Sequence, residues 1–231
     1  MAPPDPHLLL SAPSRELKSH NASTYNAIVA RYNAWTVWHN PARLHYLNLL
    51  LPRLPSTGTC ILEVGSGAGD PGTALLTTTL PEAHIIANDI SIAQLSLLQA
   101  RLAAEISAGK VEIRQGDMMD LTFAEGELDV VVGLYTVIHL PREEQGELVR
   151  RLGKWVRSGG WILLNFAGKE SEGTVEIGWL EEGKESQNVM YWSSWSTEES
   201  RRLVEEAGFR IEIAEIGGPE DFFWVLAQKV E

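Results

Sequence analysis

An apolar strand that ends in closely spaced glycines is the feature that most restricts how this chain can fold. Residues 61–70 read ILEVGSGAGD, so the strand runs directly into Gly65, Gly67 and Gly69. A buried strand followed by a turn without side chains brings backbone N–H groups close to a ligand. Asp89 ends the next apolar run, IIAND, where a carboxylate suits the hydroxyls of a ribose. The pattern predicts an α/β sheet that binds a nucleoside; the alternative is a tight turn that holds no ligand.

The residue after the glycine series bears on the kind of nucleoside. Dinucleotide-binding turns carry G-x-G-x-x-G, and here Asp70 occupies the place of the third glycine. A carboxylate at this position is a poor electrostatic match for a pyrophosphate. Glu63, inside the preceding strand, adds further negative charge. The turn therefore favours a cofactor that carries a cationic sulfonium and an α-amino group.

The order of apolar segments predicts one α/β domain over residues 21–231 behind a flexible tail over residues 1–20. Strands and helices alternate after residue 59, which indicates a mostly parallel, doubly wound sheet. The chain ends in two strand-like runs joined by Gly-Gly-Pro, which predicts an antiparallel hairpin. A polar stretch over residues 168–195 interrupts the pattern at the edge of the sheet where open α/β folds bind ligands.

Five segments in order resemble the motifs of class I S-adenosylmethionine-dependent methyltransferases: ILEVGSGAGD, IIANDIS, QGDMMDL, LDVVVGLYTVIHL and WVRSGGWILLNF. The resemblance covers nearly the whole chain from residue 22. It implies S-adenosylmethionine as cofactor and a Rossmann-like seven-stranded sheet of order 3-2-1-4-5-7-6, with strand 7 antiparallel. It also implies a lid over the cofactor, built from an N-terminal helical element (21–52) and the insertion (168–195).

The resemblance assigns ten residues to the cofactor. The glycine turn would hold the amino-acid half, Asp89 the ribose, and the QGDMMDL segment the adenine. The alternative role of Asp89 is to cap the next helix, and Tyr32, like Tyr25, has core packing as its alternative. The assigned residues are Glu63, Gly65, Ser66, Gly67, Asp89, Ile90, Asp117, Met118, Leu134 and Tyr32.

A base and a set of aromatic side chains are the candidates for the acceptor side. His139 follows the fourth strand and has a near-neutral reference pKa, so we predict a general base there; a structural role is the alternative. Aromatic residues in the two lid elements predict walls for a flat or cationic acceptor, unless they only pack the lid. The predicted substrate-binding residues are Trp35, Tyr135, His139, Tyr191 and Trp192.

Composition limits the classes of molecule that the protein is expected to bind. The net charge of −12 and a pI near 5.0 disfavour nucleic acid and anionic membranes, so a small-molecule substrate fits better. Cys60 is the only cysteine, and neither the histidines nor the acidic residues show metal-ligand spacing, so no metal is expected. Without a membrane-length apolar run or a secretory signal, the expected location is cytoplasmic. Nothing in the sequence fixes the oligomeric state.

The leading hypothesis is therefore a small-molecule methyltransferase that is O- or N-directed and needs no metal. Two alternatives stay open. One is a nicotinamide-dependent oxidoreductase, against which Asp70 argues. The other is a protein that binds S-adenosylmethionine without transferring its methyl group, either as a regulatory binder or by using the sulfonium charge.

Overall fold

The computed structural model describes residues 6–180 and 188–230 of the 231-residue chain. Its helices are α1 (Pro6–Leu10), α2 (Ser14–Ala27), α3 (Val29–Trp35), α4 (Asn40–Leu50), α5 (Gly72–Thr79), α6 (Ile92–Arg101), α7 (Ala103–Ser107), α8 (Arg142–Trp155) and α9 (Thr197–Glu206). Its strands are β1 (Thr57–Val64), β2 (Glu82–Asp89), β3 (Val111–Gln115), β4 (Leu128–Gly133), β5 (Val156–Phe166), β6 (Ser171–Ile177), β7 (Val189–Ser194), β8 (Phe209–Gly217) and β9 (Phe222–Lys229). None of the helices in these ranges is long and apolar enough to cross a membrane.

Seven strands form one sheet in the order β3-β2-β1-β4-β5-β9-β8. Strands β1 to β5 pair in parallel, whereas β9 runs antiparallel to both β5 and β8. The predicted order 3-2-1-4-5-7-6 with an antiparallel seventh strand is confirmed, because β6 and β7 pair only with each other. The sequence did not predict this separate hairpin, since its polar residues resemble those of a loop.

Helices cover both faces of the sheet and bury its central strands. On one face, α4, α5 and α6 contribute the buried leucines Leu47, Leu50, Leu76 and Leu98. On the other face, α8 and α9 contribute Leu148, Leu152 and Val204. Strand β4 serves both layers, because Val130 and Val132 face the first and Val131 faces the second. The doubly wound arrangement thus leaves the carboxyl edge of the parallel strands free to form a site.

The N-terminal segment differs from the predicted flexible tail. Helix α1 covers residues 6–10 and α2 begins at Ser14, so helical structure extends well into the range 1–20. Leu17 and Lys18 are buried in the fold. Lys18 forms ion pairs with Asp117 and Glu144, which are distant in sequence. Local sequence does not show such contacts, so it does not reveal that this segment is ordered. Residues 1–5 lie outside the described residues.

The two predicted lid elements contact each other along strand β7. The Thr24 hydroxyl of α2 donates to the Val189 carbonyl at 2.7 Å. The Asn21 side chain donates to the Tyr191 carbonyl at 3.1 Å and accepts from the Tyr191 N–H at 2.7 Å. Polar side chains of α2 thus satisfy backbone groups that an edge strand leaves unpaired. Residues 181–187 of the insertion lie outside the described residues.

Three helix boundaries can be compared with local sequence signals. Capping-box patterns at Ser91 and Ser196 predict the starts of α6 and α9, and each hydroxyl accepts the N–H of the residue three positions later at 3.2 Å. The run Ser158-Gly159-Gly160 predicts the end of α8, but the helix ends earlier, at Trp155. Strand β5 begins at Val156, because this stretch pairs with β4 and crosses a register shift before Trp161.

The buried centre of the sheet gives a stability prediction. Leu163 in β5 is fully buried, whereas Ile216 in β8 is 49% exposed. We expect Leu163→Ala to lower the free energy of unfolding by about 2–5 kcal/mol, because it removes buried surface and leaves a cavity. The matched change Ile216→Ala on an exposed strand position should cost less than about 1 kcal/mol. Urea unfolding followed by circular dichroism measures both; equal losses would contradict the described core.

Candidate functional site

Three cavities lie at the carboxyl edge of the parallel strands. The rim cavity extends along the ends of β1, β2 and β4. The lid cavity lies between the rim and the lid elements. The loop cavity adjoins the glycine turn. The rim and lid cavities share four lining residues, Tyr25, Tyr32, Tyr135 and His139, so the two spaces meet at a common aromatic wall.

The glycine turn is packed tightly against the segment that follows β4. Gly65 and Gly67 have φ angles of 68° and 55°, in the left-handed region that glycine adopts without strain. A Cβ atom on Gly65 would lie 2.1 Å from the Thr136 hydroxyl oxygen. Glycine at position 65 therefore serves both the conformation of the turn and its close approach to Thr136.

Asp89 fills both roles that its sequence position allows. One carboxylate oxygen accepts the Gly67 N–H at 2.8 Å, and the other accepts the Ser91 N–H at 2.8 Å at the start of α6. The side chain also lines the rim cavity. Burial raises the pKa of Asp89 to about 6, although its backbone hydrogen bonds oppose that rise. The carboxylate thus joins the glycine turn to β2 and still faces the cavity.

Glu63 lies beneath the glycine turn and lines the loop cavity. It accepts a hydrogen bond from the Thr73 hydroxyl at 2.6 Å. Burial raises the pKa of Glu63 to about 7; the bond from Thr73 and the charge of Arg43 act in the opposite direction. Ser66 also lines the loop cavity, and its buried hydroxyl has no hydrogen-bond partner among the described residues.

An ion pair between Asp117 and Lys18 of α2 closes the far end of the rim cavity. Asp117 accepts the Met119 N–H at 2.9 Å and forms an ion pair with Lys18. Lys18 also contacts Glu144 at 2.7 Å. Burial lowers the pKa of Lys18, but the bonds to Asp117 and Glu144 outweigh it, so the pKa is raised. Lys18 is not among the predicted site residues, because the sequence predicts a flexible tail over residues 1–20.

His139 has both ring nitrogens engaged. Its Nε2 lies 2.9 Å from the Tyr25 hydroxyl, and its Nδ1 lies 3.1 Å from the Tyr191 carbonyl. A proton on Nδ1 donates to that carbonyl, which leaves Nε2 to accept from Tyr25. Burial lowers the pKa of His139 to about 4, and burial also raises that of Tyr25 well above 10. The pair is therefore neutral near pH 7.

Aromatic rings from both lid elements surround the lid cavity. Trp179, near the end of the β6 segment, contacts Tyr25, Tyr32, Trp35 and Trp192 with ring-centroid distances of 5.4–6.0 Å. Most of these contacts are edge-on, the arrangement that aromatic pairs favour. The rings thus form a continuous aromatic surface on the lid side of the common wall.

The structure brings together most of the predicted site residues. Eight of the ten residues predicted for the cofactor line the rim cavity: Tyr32, Gly65, Gly67, Asp89, Ile90, Asp117, Met118 and Leu134. The other two, Glu63 and Ser66, line the loop cavity. Of the residues predicted for the substrate, Trp35, Tyr135, His139 and Trp192 line the lid cavity.

Tyr191 differs from its prediction, because its side chain reaches none of the three cavities. Successive residues of a strand point to opposite faces, and on β7 it is Trp192 that faces the lid cavity. The Tyr191 ring instead lies over Gly173 of β6. Its contribution to the site is through its backbone, which bonds Asn21 and His139.

Several polar residues of the site carry no motif that sequence reasoning could use. Arg43 of α4 lines the lid and loop cavities, and in the described part of the chain it has no carboxylate partner within 4.0 Å. Its guanidinium donates to the Thr36 hydroxyl at 2.8 Å and to the Asn40 side chain at 3.0 Å. His39 and Gln94, which were not predicted, and Tyr135, which was, also line the cavities, and each has a buried polar atom without a hydrogen-bond partner among the described residues.

The described residues do not bring three or more histidine, cysteine, aspartate or glutamate side chains together as a metal site would require. The expectation of a metal-independent protein stays a prediction.

Comparison with known proteins agrees with this arrangement. Residues 61–160 match the family model described as a methyltransferase domain. Methyltransferase GfsG of Streptomyces halstedii is 29% identical over 109 residues, which cover 47% of this chain and 38% of that protein. O-methyltransferase rstn1 of Aspergillus nomiae is 27% identical over 136 residues, which cover 55% of this chain and 59% of that protein. The chain thus spans less than two thirds of either relative.

A solved structure shares the fold over almost its full length. The DhpI–SAH complex superposes with a TM-score of 0.73 at 18% identity, covering 94% of this chain and 99% of the other. At that identity the likeness concerns the fold alone. The match from β1 into β5 makes residues 61–160 similar to a methyltransferase domain, and the order of the sheet matches the fold of this solved structure.

Proposed function

We propose that this protein is a methyltransferase that transfers the methyl group of S-adenosylmethionine to a small molecule. The observation that carries the proposal is the meeting of two cavities at one wall. The rim cavity begins at the glycine turn and passes Asp89, whereas the lid cavity is lined by aromatic rings. A cofactor in the first and an acceptor in the second would approach each other at Tyr25, Tyr32, Tyr135 and His139.

The residues around the rim and loop cavities fit S-adenosylmethionine. Asp89 suits the ribose hydroxyls, and Met118 and Ile90 offer apolar contacts beside Asp117 for the adenine. The Ser66 hydroxyl and the Gln94 amide nitrogen are buried and unpartnered, so a polar ligand would satisfy them. When bound, the cofactor supplies an electrophilic methyl group on a sulfonium. The protein's part is to align this group with the acceptor and to exclude water.

We assign Arg43 to the α-carboxylate of the cofactor. Its guanidinium is buried, lacks a carboxylate partner in the described residues and lies beside Glu63 and the glycine turn in the loop cavity. A buried cation without a counter-ion is costly, and a bound carboxylate would offset that cost. Glu63 on the same cavity suits the α-amino group.

The hydrogen bonds of His139 favour a positioning role over the predicted base. Its acceptor nitrogen is occupied by Tyr25, and its donor nitrogen by the Tyr191 carbonyl. We therefore propose that His139 holds Tyr25 and β7 in place at the common wall. Metal independence, a cytoplasmic location and a single domain that includes all of α2 are part of the same proposal.

The main alternative is a protein that binds S-adenosylmethionine without transferring its methyl group. The aromatic lid cavity argues for an acceptor beside the cofactor, which a purely regulatory binder does not need. Incubation with methyl-labelled S-adenosylmethionine and a metabolite extract tests the proposal. Label in a small product, with release of S-adenosylhomocysteine, supports methyl transfer; binding without either supports the alternative. Binding of a nicotinamide nucleotide in place of both adenosyl ligands would favour an oxidoreductase.

Asp89 should be a main determinant of cofactor affinity. We expect Asp89→Ala to weaken S-adenosylhomocysteine binding roughly 10- to 100-fold, because a hydrogen bond to a charged group contributes about 1.5–3 kcal/mol. Asp120→Asn, at an exposed position of the adjacent loop, is the matched control and should bind normally. Isothermal titration calorimetry measures both, and thermal unfolding checks that each variant folds. An unchanged affinity of Asp89→Ala would contradict the assignment.

The raised pKa of Asp89 predicts a pH dependence of binding. Below about pH 6 the carboxylate gains a proton and loses acceptor capacity, so affinity for S-adenosylhomocysteine should fall as the pH decreases. Glu63, with a pKa of about 7, should add a second loss at higher pH, because its protonation removes the charge facing the α-amino group. Calorimetry from pH 5 to 8 on the protein and on Asp89→Asn separates the two. A variant that keeps the step near pH 6 would exclude Asp89 as its source.

Two ligands, one with and one without the amino-acid carboxylate, test whether Arg43 binds that carboxylate. Arg43→Gln should weaken S-adenosylhomocysteine binding by about tenfold or more, since a charged hydrogen bond is lost. It should leave the affinity for 5′-methylthioadenosine unchanged, because that ligand lacks the amino-acid carboxylate. Arg53→Gln, in the exposed turn after α4, serves as control. Equal losses for both ligands would mean that Arg43 acts on the fold of the site and not on the carboxylate.

A further inference from the structure

His39 is a buried histidine whose ring nitrogens have no partner. It ends the short 3-10 turn Thr36–His39 ahead of α4, is only 2% exposed and lines the lid cavity. Neither Nδ1 nor Nε2 makes a hydrogen bond in the described structure. Buried polar groups in proteins are nearly always paired, and an unpaired one costs free energy. A ligand in the lid cavity is therefore the natural partner of His39.

Neighbouring side chains hold the imidazole in place. Its ring lies 5.0 Å from that of Trp35, 4.7 Å from that of Trp38 and 4.8 Å from that of Tyr135, measured between centroids. Glu220, in the turn between β8 and β9, places a carboxylate oxygen 3.8 Å from Nε2. This separation is too long for a hydrogen bond but short enough for an ion pair once the ring carries a proton.

Tyr135 adds a second unpartnered group beside His39. Its buried hydroxyl has no hydrogen-bond partner in the described structure, and its ring belongs to the wall between the rim and lid cavities. The backbone of Tyr135 is left-handed, with φ of 59°, and its N–H donates to the Asn165 side chain at 2.6 Å. Glu220 is also left-handed, with φ of 63°. Such conformations are costly for residues other than glycine and gather at functional sites.

We propose that the lid cavity takes a flat aromatic acceptor bearing a hydroxyl group, and that His39 removes the hydroxyl proton while Tyr135 donates a hydrogen bond to the same oxygen. Glu220 acts as a positioning residue that faces the protonated imidazole. This inference rests on the proposed methyltransferase function and specifies its substrate class.

The step balances with the groups already named. The acceptor oxygen forms a bond to the methyl carbon while the carbon–sulfur bond breaks and leaves its electron pair on sulfur. The hydroxyl proton moves to His39, and the resulting imidazolium faces the Glu220 carboxylate. The products are a methyl ether and S-adenosylhomocysteine, and water later takes the proton from His39.

The charges around His39 favour a hydroxyl over an ammonium acceptor. Burial, followed by the nearby charge of Arg43, lowers the pKa of His39 to about 4, so the resting ring is neutral near pH 7. It gains the proton only as negative charge develops on the acceptor oxygen beside it, because that charge raises the pKa of the ring. Arg43 also lines the lid cavity, and the part of its positive charge that pairing with the cofactor carboxylate leaves uncompensated would disfavour a cationic amine there. Glu220 and Glu176 line the same cavity but are exposed to solvent, which screens their charge.

Matched aromatic probes test the substrate class. The protein is incubated with methyl-labelled S-adenosylmethionine and with 1-naphthol or 1-naphthylmethylamine, and with 4-nitrophenol or 4-nitrobenzylamine; these amines are cationic near pH 7. We expect label in the hydroxyl compounds at least tenfold above that in the amines. Binding to protein saturated with S-adenosylhomocysteine is measured in parallel, and the absorption of 4-nitrophenol should shift toward that of its phenolate as His39 takes the proton.

Variants test the residue roles. His39→Gln should lower turnover of the hydroxyl probe roughly 100-fold or more, the usual contribution of a general base, and abolish the phenolate shift. Its affinity for S-adenosylhomocysteine should stay within about twofold of the unaltered protein, which also shows that it folds. His45→Gln, at an exposed position on α4, is the matched control. Tyr135→Phe should mainly raise KM, and Glu220→Gln should reduce the phenolate shift, with partial recovery in Glu220→Asp.

The results of these experiments distinguish the inferred substrate class from the methyltransferase proposal on which it rests. Protein that binds S-adenosylhomocysteine but neither binds nor methylates the hydroxyl probes, or that prefers the amines, overturns the inference and leaves the methyltransferase proposal standing. A His39→Gln variant with normal turnover and a normal phenolate shift also overturns it. Failure of the unaltered protein to bind S-adenosylhomocysteine overturns both.

Discussion

The hydrogen bond between the Gly67 N–H and the Asp89 carboxylate is the contact on which the rest of the site depends. It joins the turn after β1 to the end of β2, and the same carboxylate begins α6 through the Ser91 N–H. The turn in turn packs against Thr136 after β4, where a side chain on Gly65 has no room. Three strand ends are thereby fixed relative to one another, and the space between them is the rim cavity.

Helix α2 covers this open edge and encloses the site. Asn21 and Thr24 bind backbone groups of β7, while Lys18 reaches Asp117 at the opposite end of the rim cavity. A helix and a hairpin that are distant in sequence therefore form one layer over the sheet. Aromatic residues of that layer line the lid cavity, so the same layer encloses both cavities.

Two histidines illustrate why a site cannot be assigned from sequence position alone. His139 follows β4, where sequence reasoning places a base, yet Tyr25 and the Tyr191 carbonyl occupy its nitrogens. His39 lies in a turn with no motif, yet it lines the lid cavity and its nitrogens make no hydrogen bond to any described residue. Availability of a lone pair depends on neighbours from other elements. Local sequence does not specify those neighbours.

The sequence by itself determined the α/β class and the edge of the sheet that carries the site, and the resemblance to the methyltransferase family added the order of the strands. Apolar runs of strand length and glycine spacing are local properties, and the residues that follow parallel strands must meet at one edge. Only the tertiary structure decided where α2 begins and that the insertion forms a hairpin. It also decided that His39, Arg43 and Lys18 belong to the site. These depend on long-range contacts: helix α2 and the hairpin satisfy each other's polar groups, and buried charges acquire their roles from partners that packing brings together.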